Sequence, residues 1–323
     1  MPRTLLVTGG SGFVGGHVLA AALAGGWRAI NADLVEVGGV QGIEFCPLDI
    51  TDGCSVSSLI GAARPDAIIH LAAIGDVDQS ERDPRVAWRV NAEGTANIAR
   101  AASDVGARLL FISTSTVFDG QSGCYREDDP PHPINIYGRS KVAAEQAVKA
   151  LCPSALIVRI SMAYGYPRTG GASFLTRVEE KLRAAETTVQ PSDEFRTPID
   201  VLSLADGLVE IAGTDISGVL HLGPRERISR YDFALKIARR LGADASLVVD
   251  RRGETLPGRA PRPKDVSFNT ELAHRLVRTP LLGTDEGLDR VMGAAFTGPG
   301  ADIQSDSTRA WRQGYPGQTM EAQ

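Results

Sequence analysis

An apolar run, Leu5–Thr8, ends in Gly9-Gly10-Ser11-Gly12-Phe13-Val14-Gly15, and a helical apolar pattern follows at once. Glycines at this spacing allow a tight turn, a close approach of backbone to a pyrophosphate, and close packing of helix on strand. The start of such a helix offers unpaired N–H donors and the positive end of a dipole to an anion. An ordinary strand-to-helix loop satisfies the same local pattern. Position separates the two readings, because this turn follows the first strand of an alternating series. Gly9, Gly12, Phe13, Val14 and Gly15 are therefore the first candidate cofactor residues.

From Thr4 to Arg159, short β-branched or Leu-rich runs alternate with helical patterns, the signature of βα units building a parallel sheet. The strands expected are Leu5–Thr8, Arg28–Ala32, Ile43–Pro47, Ala67–Leu71, Leu109–Ser113 and Ala155–Ile160, with helices beginning near Gly12, Ser55, Pro84 and Ile136. Beyond Arg159, helical patterns near Ser173–Ala185, Leu202–Ala212, Arg230–Leu241 and Glu271–Val277 mix with strand-like runs at Gly218–Leu222 and Ser246–Val249. The expected fold class is α/β: a Rossmann-type doubly wound sheet over residues 1–165, and a smaller α/β substrate lobe over 166–295 with some segments returning to the first domain. Residues 296–323 are rich in Gly, Pro, Ser and Gln and are expected to be a disordered tail.

Composition narrows the partners. The 35 glycines among 323 residues exceed the roughly 7 % of average chains, yet they cluster beside apolar runs and follow no fibrous period. The net charge is −5 with no Lys/Arg stripe, so neither nucleic acid nor a membrane surface is an expected partner. Cys46, Cys54, Cys124 and Cys152 lack metal-ligand spacing, which favours reduced thiols and no metal site. No signal-like or membrane-length apolar stretch is visible, so a cytoplasmic location is expected.

Asp33 closes the second strand, where a carboxylate can accept hydrogen bonds from ribose hydroxyls and repel a 2′-phosphate. No arginine follows it, which favours NAD over NADP; a loop-capping role suits Asp33 as well. Asp49-Ile50 can contact the adenine or simply form a turn. Tyr137 and Lys141 stand four residues apart at the start of a helical pattern, and so share a face. An ammonium there favours the phenolate and lets the pair shuttle a proton. Ser113-Thr114-Ser115-Thr116 ends a parallel strand, where open α/β sheets bind ligands.

The turn "TGGSGFVG", Asp33, "HLAA" at 70–73, Asn91 in "VNAEGTAN", "STSTVF" at 113–118 and "YGRSK" at 137–141 together resemble the extended short-chain dehydrogenases/reductases, the NAD-dependent epimerase/dehydratase superfamily. The match runs from about residue 4 to 290. That resemblance implies Thr114, Tyr137 and Lys141 as the catalytic triad, Leu71, Ala72 and Ala73 beside the cofactor, and Asn91 as a structural residue of the active-site helix counted with the cofactor residues. It also implies a homodimer through roughly Arg85–Val105 and Ile136–Leu151.

"VDQSE" at 77–81, "VFDG" at 117–120, the segment 125–148 and "RAPRPKDVSFNTE" at 259–271 resemble the dTDP-4-dehydrorhamnose reductase branch, which implies reduction of the 4-keto group of a nucleotide-linked deoxysugar. That branch typically reads S-T-D-Y-V-F at 113–118 and carries a tryptophan where this chain has Met162. A 4-epimerase with the same triad is an alternative, as is a non-catalytic dinucleotide-binding regulatory subunit. The Asp-Glu pair of the dehydratases is replaced by Ser115-Thr116. Candidate substrate contacts are Asp78, Thr114, Ser115, Thr116, Met162, Arg196 and Arg262. Asp78 reads equally well as a solvated charge, and the two arginines as ion-pair partners. His70 reads as a packed core residue, and Trp27 and Trp88 as packing residues.

Overall fold

The computed structural model describes residues 2–295 apart from 256 and 257; the tail expected at 296–323 lies outside them. Seven strands form the main sheet: β1 (Thr4–Thr8), β2 (Arg28–Asp33), β3 (Glu44–Pro47), β4 (Ala67–His70), β5 (Arg108–Thr114), β6 (Leu156–Ile160) and β11 (Gly218–His221). Their order is β11-β6-β5-β4-β1-β2-β3 and every pairing is parallel. The order reverses between β1 and β4, which opens a crevice at the carboxyl ends of these strands.

Alternation along each strand explains why the sequence reads as unbroken apolar runs. Leu5, Val7, Ile69, Leu110 and Val158 face α1 (Phe13–Ala24) and α8 (Val201–Ala212), packing on Val18, Leu19, Leu204 and Leu208. Leu6, Ile68, Leu109, Phe111 and Ile157 face α2 (Gly53–Ala63), α5 (Thr95–Val105) and α6 (Ile136–Leu151), packing on Val56, Ile60, Ile98 and Val148. Each such side chain taken from water stabilises the fold by about 1.5–3 kcal/mol.

The smaller lobe joins β7 (Met162–Tyr164) to β10 (Pro198–Asp200), β8 (Thr188–Gln190) to β13 (Val248–Asp250), and β9 (Phe195–Arg196) to β12 (Ile228–Ser229). Around them lie α7 (Phe174–Arg183), α9 (Arg230–Leu241) and α11 (Thr284–Ala295), whose core includes Tyr164, Phe174, Val178, Phe233, Ile237 and Val291. The helix α10 (Glu271–Leu276) packs near β11. Thus β11 and α8, late in the chain, return to the main sheet.

Three local differences from the sequence expectation have physical causes. The strand expected at Ser246–Val249 begins at Val248, because Asp244 accepts from the Ser246 N–H and winds a short turn first. The helix α3 (Val77–Arg82) was not expected; it is short, and Asp76 caps it. The helix expected from Pro84 splits into α4 (Pro84–Trp88), a π-helical turn over Arg89–Gly94, and α5. Trp88 is 43 % exposed, so it is a surface residue rather than the packing residue expected.

Candidate active site

The glycine turn closes on itself and on β4. Gly9 has φ +73°, and a β-carbon there would lie 2.6 Å from the Ala72 nitrogen. At Gly15 it would lie 2.2 Å from the Gly9 carbonyl oxygen. Gly12 caps α1 with extended backbone, without a side-chain cap and without an acidic residue in the first turn. No side chain caps the first turn, where the N–H groups of Phe13 and Val14 lie, as an anion-binding helix start requires. These features fit the pyrophosphate of a dinucleotide. Leu71, Ala72 and Ala73 leave β4 directly opposite, with the Leu71 N–H donating to the Thr8 carbonyl at 3.0 Å.

Asp33 accepts from the Ser11 N–H at 3.0 Å and the Leu34 N–H at 2.7 Å. Burial pushes its carboxyl up, against these hydrogen bonds. Asp33 therefore ties the loop from the end of β2, the loop-capping role expected as one alternative. Asp49 accepts from both the N–H and the hydroxyl of Thr51 at 2.8 Å, a turn role, and Ile50 is buried beneath Gly94. Asn91 sits in the π-helical turn, where it accepts from the Ile74 N–H at 2.8 Å and donates to the Ile74 carbonyl and the Ser140 hydroxyl. That grip fixes α6 beside the loop after β4.

Asn135 starts α6 by accepting from the Gly138 N–H at 2.8 Å, which sets Tyr137 in the first turn. Burial pushes the Tyr137 phenol up, and Thr114, at the end of β5, opposes this. Lys141 donates to the Ile112 carbonyl at 2.7 Å and lies 4.2 Å from the Phe111 ring centroid. Burial lowers its ammonium to about 7, against the charge of Glu145. A protonated phenol beside a lysine that titrates near neutrality can deliver a proton to an oxygen held by Thr114. His70 is buried between the hydroxyls of Thr8 and Thr95 and its ionisation falls to about 3, which makes it the packed core residue expected.

The expected substrate contacts divide. Thr114 and Thr116 hydrogen-bond each other at 3.2 Å at the mouth of β5, and Met162, half-buried, opens β7. Ser115 does not face the site; it is 1 % exposed and donates to Ser161, because the turn after Thr114 rotates it inward. Asp78 and Arg262 do not stand free for sugar and diphosphate. They pair with each other at 2.9 Å, and Asp78 also accepts from the Ala260 N–H, since facing loops of opposite charge close on one another. Arg196 likewise is occupied: it donates to the Phe195, Lys264 and Pro263 carbonyls and pairs with Glu194, which Arg259 also grips. These contacts strap residues 259–264 across the site beside the start of α6, where Asn135 donates to the Pro261 carbonyl.

The sequence reading missed Glu145 and Arg159, which meets Glu145 in the structure. One signal was present: Arg159 is a charge inside the apolar run "ALIVRI", and a charge on a buried strand needs a partner.

The family model for the RmlD substrate binding domain matches residues 3–295. A dTDP-4-dehydrorhamnose reductase of Mycobacterium tuberculosis is 32 % identical over 94 % of this chain and 97 % of its own length. A methionine adenosyltransferase 2 subunit beta of Xenopus laevis is 30 % identical over 81 % of this chain and 78 % of its own. Among solved structures, a dTDP-4-dehydrorhamnose reductase from Bacillus anthracis in complex with NADP superimposes with a TM-score of 0.81 at 30 % identity, covering 91 % of this chain and all of that one.

Proposed function

For a chain that belongs to the RmlD substrate binding domain family, we propose NAD(P)-dependent reduction of the 4-keto group of a nucleotide-linked deoxysugar, a dTDP-4-dehydrorhamnose-like compound. The observation that carries this reading is Tyr137 at the start of α6, one turn from Lys141 and beside Thr114, set at the carboxyl edge of the sheet that also carries the glycine turn. When bound there, reduced nicotinamide supplies the hydride. Thr114 holds the substrate oxygen, Tyr137 donates its proton as negative charge develops on that oxygen, and Lys141 stabilises the phenolate left behind. Purified protein mixed with NADH or NADPH and a dTDP-4-keto-6-deoxysugar is expected to consume the reduced nicotinamide absorbance. No loss with either cofactor would overturn this substrate. Dinucleotide binding without any turnover would instead favour the regulatory-subunit reading, which the relative from Xenopus laevis supports.

Asp33 supports NADH as the better reductant, because its carboxylate repels a 2′-phosphate and no basic residue follows it. Asp33→Ser is expected to raise the NADPH-to-NADH ratio of kcat/KM by about tenfold, while both values fall as the Ser11 tie is lost. An unchanged ratio would remove Asp33 from cofactor choice. A homodimer through the Arg85–Val105 and Ile136–Leu151 surfaces belongs to the same reading; exposed Trp88 lies on that face.

A further inference from the structure

Glu145 is a buried charge beside the site that the scheme above does not use. It lies one helical turn beyond Lys141, as Lys141 lies one turn beyond Tyr137, so the three side chains share a face of α6. Glu145 is 2 % exposed and Lys141 3 %. Arg159 grips the Glu145 carboxylate with Nε at 2.9 Å and Nη2 at 2.7 Å, and the Ser113 hydroxyl donates to it at 2.6 Å. Arg159 is itself 1 % exposed, lies 5.1 Å over the Phe118 ring, and approaches His221 at 3.3 Å. Two consecutive positions of β5 therefore meet two consecutive turns of α6: the Ile112 carbonyl takes Lys141 and Ser113 takes Glu145, with Thr114 next along the strand.

We propose that Glu145, fixed by Arg159 and Ser113, is a positioning residue for the Tyr137–Lys141 pair, keeping the Lys141 ammonium charged and setting α6 in register against the strand that carries Thr114. This rests on Tyr137 and Lys141 being the working pair of the reaction proposed above. Lys141 stands one helical turn from Tyr137 and from Glu145, and meets the Phe111 ring and Ile112 carbonyl from β5 and the neighbouring His70 from β4. Arg159 and His221 lie behind Glu145. Burial lowers His70 and His221 to about 3, so neither carries charge where Lys141 titrates. Glu145 is the anion that opposes the burial of Lys141.

The chain has only five lysines, Lys141, Lys149, Lys181, Lys236 and Lys264, so an NMR titration of protein labelled with carbon-13 at the lysine Cε reads Lys141 directly. Its signal is identified by loss in Lys141→Met. Lys141 is expected to titrate near 7 in the parent and about one pH unit lower in Glu145→Gln, with the other four lysines unmoved. An unmoved Lys141 overturns the proposal. Glu145→Gln leaves Arg159 buried without its partner, so Glu145→Gln with Arg159→Met, which removes both charges, is the second variant. It should move Lys141 in the same direction, and an unmoved midpoint overturns the proposal there too. Ser113→Ala keeps the carboxylate and should leave the midpoint in place; a shift as large as that of Glu145→Gln would mean that geometry alone acts, against the charge role. The titration needs no substrate. A shift without turnover would uphold the charge coupling of Glu145 to Lys141 and place the failure in the reductase reading on which the positioning role rests.

Discussion

Tyr137→Phe is expected to lower kcat by about 10³-fold while dinucleotide binding and the unfolding midpoint stay close to the parent. Phenylalanine keeps the ring and its packing at the head of α6, so the loss isolates one hydroxyl proton. General acid catalysis by a positioned group contributes about 10²–10⁴-fold, and neither His70 nor Thr114 can take over its part. His70 is enclosed between Thr8 and Thr95, and Thr114 is a poor proton donor. The buried phenol stays protonated at neutrality, the form that reduction needs. The sign of the pH dependence follows from Lys141, whose ammonium is lowered to about 7: its charge is present below that value and lost as pH rises through it. The reductive rate of the free enzyme should therefore fall on the alkaline side. A stopped-flow or steady-state measurement in which Tyr137→Phe retained a tenth or more of the parent rate would remove Tyr137 as the proton donor.

The second large effect concerns the cofactor turn. Gly15→Ala adds a β-carbon 2.2 Å from the Gly9 carbonyl oxygen, 2.5 Å from the Gly10 Cα and 2.8 Å from the Gly10 carbonyl carbon. All three are backbone atoms, so no rotamer relieves the overlap and the turn itself must open. Overpacking of this kind costs about 1–3 kcal/mol, and the displaced N–H groups no longer converge on a pyrophosphate. The expected result is a loss of dinucleotide affinity of at least about 100-fold, with a lowered unfolding midpoint. Gly61→Ala is the control: it lies within α2 with nothing near its added carbon. Helix propensity there predicts a gain of about 0.5–1 kcal/mol and unchanged affinity. Calorimetric titration with NADH would settle it, and tight binding by Gly15→Ala would show that the turn does not hold the pyrophosphate.

Much of this was legible in the sequence because it is local. The strand runs of β1 to β6 were found nearly to their ends, since a strand buried on both faces is apolar throughout, and the helical pattern near Arg230–Leu241 matches α9, which Ser229 and Gly242 cap in the structure. Tyr137 and Lys141 share a helix face by spacing alone. By contrast, the charged residues chosen as candidate substrate contacts stayed open in the sequence between substrate contact and charge pairing, for one reason. Asp78 meets Arg262 across 184 positions, and Arg196 meets the Pro263 carbonyl across 67.

The sequence by itself determined the order of the elements, the glycine turn and the tyrosine–lysine pair, because periodicity, turn chemistry and helical spacing act between near neighbours. The tertiary structure alone decided which charges are free. Asp78, Arg196 and Arg262 became fastenings of a strap, and Glu145 came to share a buried pocket with Arg159. An ion pair forms wherever burial makes an unpaired charge costly, and burial is known only once the sheet, α6 and the loop at 259–264 have closed on one another.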